Sequence, residues 1–238
     1  MLSAIVWVFI AVMTVLVMIS VLVLAVFPFN RQRRLSHAMG FWWADVIIGL
    51  NPFWSLEISG LEHVDPRGTY VLIANHESMA DIVLLYKAHI QFKWLAKKSL
   101  FEIPVFGWCM SLMGYIPLRR DEHSSIKNAY FQAARWLKDG MSVLFFPEGT
   151  RSSDGTVNPF KNGAFKLAIE EGMPILPIYI EGSRNLIQRG SWIFNSHAGC
   201  RLNILAPIKT KNFKPEDFHI LRDQVREKLQ SVSQKTSP

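Results

Sequence analysis

His76 and Asp81 stand five positions apart in the run Asn75-His76-Glu77-Ser78-Met79-Ala80-Asp81. Imidazole is the side chain best suited to take a proton near neutral pH. A carboxylate on its second ring nitrogen would orient it and stabilise the imidazolium that forms. Five residues turn a helix by about 140° beyond a full circle, so the two cannot share a helix face. They can meet only if His76 lies in a loop and Asp81 in the first turns of the helix that follows. From spacing alone a second reading stays open, in which Asp81 merely starts the helix and His76 is a hydrogen-bonded loop residue. The zinc-protease pattern HExxH is broken by Ala80.

A second segment, Phe146-Pro147-Glu148-Gly149-Thr150-Arg151-Ser152, closes an apolar run. Gly149 would let the backbone approach a ligand, and Arg151 offers a planar fork suited to phosphate. The alternative is an ordinary strand-end turn with a surface Arg–Glu pair. A third, Gly114-Tyr115-Ile116-Pro117-Leu118-Arg119-Arg120, sets two arginines at a strand end, either to hold phosphate or to blunt an edge. Lys93, Lys97 and Lys98 add positive charge nearby in sequence. A fourth, Met173-Pro174-Ile175-Leu176-Pro177-Ile178, carries no chemistry, and its prolines imply an edge strand or a strand beginning.

These residues need a scaffold. Short apolar runs at 69–74, 92–96, 115–118, 142–146, 175–180 and 202–205 read as strands. Between them, Ile126, Tyr130, Ala133, Ala134 and Leu137 keep one helical face that Gly140 stops. A short helix spans 165–171, and Phe218, Leu221, Val225 and Leu229 line another from near Pro215. A polar tail is expected from about Ser231. Strand–helix alternation argues an α/β domain with a mixed or largely parallel sheet flanked by helices.

The chain is 238 residues with a net charge of +7, yet residues 1–30 carry no charged side chain. Residues 2–27 are mostly Ile, Val, Leu, Met and Phe, about 39 Å as a helix and longer than a bilayer's hydrocarbon core. Pro28 closes the run, and Arg31, Arg33 and Arg34 place the following domain on the cytoplasmic side. A second apolar stretch at 38–54, with Trp42, Trp43, Trp54 and Asp45, reads as an interfacial helix or half of a re-entrant hairpin. The expected organisation is a membrane anchor at 1–30, a basic juxtamembrane and interfacial segment at 31–57, and a catalytic domain at 58–238. Cys109 and Cys200 are isolated, which fits neither zinc nor a disulfide scaffold. There is no G-x-G-x-x-G, P-loop or G-x-S-x-G elbow, and nucleic-acid binding has only the charge behind it.

The four segments, in this order, resemble the 1-acyl-sn-glycerol-3-phosphate acyltransferase family: NHxSxxD, a Gly-to-Arg strand, FPEGTRS and a Pro-rich strand. Lys97-Lys98-Ser99-Leu100 with Pro104 and Gly107 is similar to a further stretch of that family. The resemblance implies a glycerolipid acyltransferase-like α/β fold behind a membrane helix or two-helix membrane motif. It implies His76 and Asp81 as the catalytic pair, and Lys97, Arg120, Glu148, Gly149, Thr150 and Arg151 as the substrate site. Asn75, Ser78 and Pro177 would shape the motifs. The implied reaction moves an acyl group from acyl-CoA or acyl-carrier protein to lysophosphatidic acid at a membrane, with no metal and no cofactor. Arg119 and Pro117 depart from the family's usual residues. Acceptors such as a lyso-ornithine lipid or a lysophospholipid, or a lipid-binding protein without catalysis, are the alternatives.

Overall fold

The structure, a computed structural model, describes residues 2–25, 33–188 and 190–236. Pro28 and Arg31, expected to end the anchor, lie outside the described residues. The apolar run forms α1 (Leu2–Ala25), about 36 Å long at the usual rise per residue. Among the described residues it is the one helix long and apolar enough to cross a membrane. The interfacial stretch forms α2 (Arg34–Gly49), shifted towards the N-terminus from the expected 38–54. Asn51 marks its end, accepting the Phe53 N–H (2.9 Å) and donating to Ser196 O (2.8 Å).

In chain order there follow β1 (Trp54–Ser59), β2 (Val71–Ala74), α3 (Asp81–Lys87), β3 (Phe92–Lys97), α4 (Phe106–Leu112) and β4 (Ile116–Leu118). Then come α5 (His123–Lys138), β5 (Ser142–Phe145), α6 (Gly163–Glu170), β6 (Ile175–Glu181), α7 (Ser183–Leu186), β7 (Ala198–Ile204) and α8 (Phe218–Thr236). The strands form a seven-stranded sheet in the order β1-β7-β6-β2-β5-β3-β4. All adjacent pairs are parallel except β6–β7. The expected mixed sheet flanked by helices is present.

Side chains alternate between the sheet's faces, which splits the core in two. Leu72, Ala74, Phe92, Trp94 and Leu144 pack with residues of α1 to α4. Val71, Ile73, Val143 and Ile175 pack with residues of α5, α6 and α8. Fully buried parallel strands explain why these runs read as continuous apolar stretches.

Three expectations are corrected. The proline-bearing strand β6 is central, between β7 and β2. Pro177 is tolerated there because it faces Leu205 just beyond the β7 ladder, whose first pair is Ile178 with Ile204. Leu205 N–H donates to Pro177 O (2.9 Å), and only the return bond is missing. The sheet also has an edge strand that the apolar runs did not disclose, β1, paired with β7. The expected domain boundary at 57/58 falls inside it. Finally, α8 continues to Thr236 where a polar tail was expected from Ser231, because Leu229 is buried and Val232 half-buried against the sheet.

Candidate active site

Strands β2, β3, β4, β5 and β6 run the same way, so their C-terminal ends share one edge of the sheet. Ligands of open α/β sheets bind beyond that edge. His76 lies just past β2, the Glu148–Arg151 turn just past β5, Lys97 ends β3, and Arg120 follows β4. The fold gathers four separate segments at one rim.

Asn75 opens the loop. Its Nδ2 donates to Ile180 O (2.8 Å) and its Oδ1 accepts the Ile180 N–H (2.7 Å), so the amide pairs with β6 as a strand residue would. An aspartate would lack the donor. His76 is in the loop and Asp81 is the first residue of α3, the arrangement that the spacing demanded. His76 Nδ1 lies 2.6 Å from Asp81 Oδ2. The same oxygen accepts the N–H groups of Glu77 (2.8 Å) and Ser78 (3.1 Å), so it is an acceptor and Nδ1 carries the proton. The lone pair of a neutral ring is then on Nε2. The ring also stacks on Phe146 at 4.2 Å. Asp81 is fully buried, whereas the His76 side chain keeps 19% of its surface. A base within reach of solvent, held by a carboxylate that is not, can take and return a proton without losing its aim. Ser78 Oγ donates to Ile187 O (2.8 Å), which ties the loop to the segment after α7.

The second turn is bound to the first. Glu148 Oε1 accepts the His76 N–H (2.9 Å). Its Oε2 accepts the Asn158 N–H (3.1 Å) and Asn158 Nδ2 (2.9 Å). Ser152 N–H donates to His76 O (2.7 Å). Glu148 is buried, which raises its pKa, and both its oxygens are used inside the protein. It acts as a strut between loops. Gly149 has φ +74°, a conformation that favours glycine. Thr150 is exposed and Arg151 half-buried beyond it. Lys97 and Arg120 are exposed on the same rim.

Lys93 does not join them. It is wholly buried, with Nζ donating to Met113 O (2.7 Å) and lying 5.1 Å from the Trp136 ring centre. Burial, then Arg33 and Arg34, push its pKa down to about 7. Period-two alternation in β3 could not distinguish an inward lysine from an outward one. Three contributors were not legible in the sequence. Phe146 stacks on His76; Lys161 lays its side chain across Gly149, where an added Cβ would meet its Cε at 2.9 Å; and Glu77 is buried beside Asp81. Burial, then Asp81, push Glu77 up to about 7. Only the folded loops bring these side chains to the site.

The family model described as Acyltransferase matches residues 55–181, which hold the His76 and Glu148 segments together. A chloroplastic 1-acyl-sn-glycerol-3-phosphate acyltransferase of Brassica napus is 39% identical over 182 residues, covering 76% of this chain and 52% of that protein. The alpha enzyme of the same name from Mus musculus is 29% identical over 184 residues, 76% of this chain and 65% of that one. The crystal structure of the 1-acyl-sn-glycerophosphate (LPA) acyltransferase from Thermotoga maritima superposes with a TM-score of 0.84 at 27% identity. That match covers 100% of this chain and 96% of the other. This chain spans about half the length of the Brassica relative it matches.

Proposed function

Because this chain belongs to the acyltransferase family, we propose that it moves a fatty acyl group from a thioester to the sn-2 hydroxyl of 1-acyl-sn-glycerol 3-phosphate, giving phosphatidic acid. The donor is acyl-CoA or acyl-carrier protein. The observation that carries this reading is the 2.6 Å contact between an accessible His76 and a buried Asp81 at the strand-end rim. His76 Nε2 takes the hydroxyl proton as the oxygen attacks the thioester carbonyl. Asp81 stabilises the imidazolium. The tetrahedral intermediate collapses, the C–S bond breaks, and the proton passes from His76 to the departing thiolate. General-base help of this kind is worth roughly 10²–10⁴ in rate. A thiolate leaves readily, so the scheme calls for no cofactor and no metal. Lys97, Arg120 and Arg151 supply positive charge for the acceptor's phosphate.

The membrane is where that acceptor resides. α1 leaves Ile5, Val8, Val12 and Ile19 exposed, yet it is not detached from the domain. Val17, Met18 and Val21 are buried against it, and Trp43 Nε1 in α2 donates to Thr14 Oγ1 (3.2 Å). Contacts along α1, from Ser3 and Trp7, which bond Phe194 and Trp192, to Val21, favour a helix lying along the domain within one leaflet over one that crosses. Arg33 and Arg34 bind Ser111 O (2.7 Å) and Gly140 O (2.6 Å), fixing the start of α2 to the same domain. The test is a purified full-length chain assayed with 1-acyl-sn-glycerol 3-phosphate, phosphate-free lyso-lipids and both donor types. Transfer only to the phosphate-free acceptors would overturn the acceptor assignment.

A further inference from the structure

The segment between α7 and β7 is braced at its base, turns at Gln188 and Ser191, and carries two apolar residues on the arm that returns. Ile187 bridges Phe194, and Asn195 N–H donates to Leu186 O (3.0 Å). Asn195 O accepts Trp54 Nε1 (2.8 Å), which fastens the base to β1. That arm presents Trp192 and Ile193, exposed by 67% and 69%. Polar residues would cost nothing there, whereas two large apolar side chains on a braced arm are unfavourable in water.

The arm is joined to the start of α1. Trp7 Nε1 donates to Trp192 O (2.7 Å), and Phe194 N–H donates to Ser3 Oγ (2.9 Å). The Trp7 ring lies 5.2 Å from both Trp192 and Phe194. Ile5 and Val8, among the most exposed apolar residues of α1, lie within two positions of Trp7 in the same turns of the helix. Helix and hairpin thus meet through Ser3 and Trp7, and both carry exposed apolar residues.

We propose that Trp192 and Ile193 are a second membrane-inserting element, a wedge that enters the boundary between headgroups and acyl chains beside the first turns of α1. This rests on the membrane reading of α1 given above. Tryptophan favours that boundary, and isoleucine the hydrocarbon just below it. The wedge fixes the depth of the domain at the end of α1 away from the arginines. It also reaches the catalytic loop, because Ile187 O at its base accepts the Ser78 hydroxyl. Depth of insertion thereby sets the height of His76 above the acyl chains.

The test uses the full chain in vesicles of phosphatidylcholine and phosphatidylglycerol in equal parts, with one nitroxide per protein. Cys109 and Cys200 are buried, so the label goes to an introduced thiol. Labels in V12C and I193C should relax with oxygen more than with a polar nickel complex, and a label in K127C on α5 should do the reverse. A V12C label in lipid with an I193C label in water overturns the wedge and leaves the membrane reading intact. A V12C label in water overturns that reading and the wedge with it. As a second measurement, W192A/I193S should weaken vesicle binding by ~10-fold, a loss typical of partly inserted apolar residues. Its turnover on a short-chain acceptor in detergent should be unchanged. Undiminished vesicle binding would overturn the wedge, as would dimers in detergent that depend on these two residues.

Discussion

At the scale of single residues, the site separates chemistry from support. His76→Ala should leave a folded protein whose acyl transfer falls by ~10³ or more, since general-base help and alignment are lost together. Asp81→Asn should do comparable damage, because an amide cannot offset the imidazolium. Turnover at fixed thermal stability decides both. Arg151→Lys keeps the charge but removes the fork, and should raise the acceptor KM by ~10-fold while the donor KM changes much less. Steady-state kinetics with both substrates varied would check it; a change confined to the donor KM would assign Arg151 to the thioester. Glu77 is a carboxyl buried in the loop beside Asp81. Its pKa of about 7 when folded exceeds the ordinary 4.5, so the folded state holds a proton that the unfolded chain releases. Its contribution is therefore fully favourable below about pH 4.5 and is lost as pH rises through about 7. Glu77→Gln, fixed neutral, should lie close to the parent at pH 5 and gain roughly 5–10 °C in Tm on it between pH 5 and pH 8. An equal Tm difference at both pH values would show that Glu77 is not held neutral. Spacing said only where His76 and Asp81 could meet, in a loop and the helix after it, and the family resemblance singled them out; Glu77 was not legible, because no spacing rule reveals burial in a loop.

At the scale of elements, the reactive residues sit on turns that parallel strands project from one rim. The Gly149 turn is the most constrained. Gly149→Ala would hold an L-residue at positive φ and press a methyl on Lys161. It should cost about 1 kcal/mol in stability and lower turnover by ~10-fold through displacement of Arg151. Because the strain is mostly in the backbone, Lys161→Ala should not rescue it; rescue in the double variant would make the side-chain contact the cause. Strands buried on both faces announced themselves as apolar runs. Edge strand β1 did not, since Ser55, Glu57 and Ser59 alternate with its apolar residues and the aromatic stretch before it masks its start. Pro177 misled because the proline rule concerns a lost ladder bond, and here its nitrogen faces the side of β7, where the paired register ends at Ile178 and a single bond is missing.

At the scale of the whole molecule, α1 is both an exposed apolar surface and a packed layer. Removing residues 1–30 should lower activity on acceptor in vesicles at least 10-fold more than on a short-chain acceptor in detergent, where micelles can cover the bared face. Parallel assays of the two acceptors settle it, and equal losses would make α1 part of the catalytic fold. The long apolar helix was legible in the sequence through its uncharged length. The sequence did not disclose that this helix folds back onto its own domain, since nothing local in an apolar run records a partner near the other end of the chain.

That partner has a cost in time. The Trp7 and Trp192 that bond one another are separated by 185 positions. At about 5–20 residues per second, a ribosome needs roughly 9–37 s to deliver the second after the first. For that interval α1 can rest on α2, whose Trp43 bonds Thr14, but its first turns lack the hairpin. Closure of the hairpin over Trp7 is then among the last events of biogenesis. Pulse-labelled hydrogen exchange during synthesis should show the Trp7 indole gaining protection only after the centre of the sheet has done so.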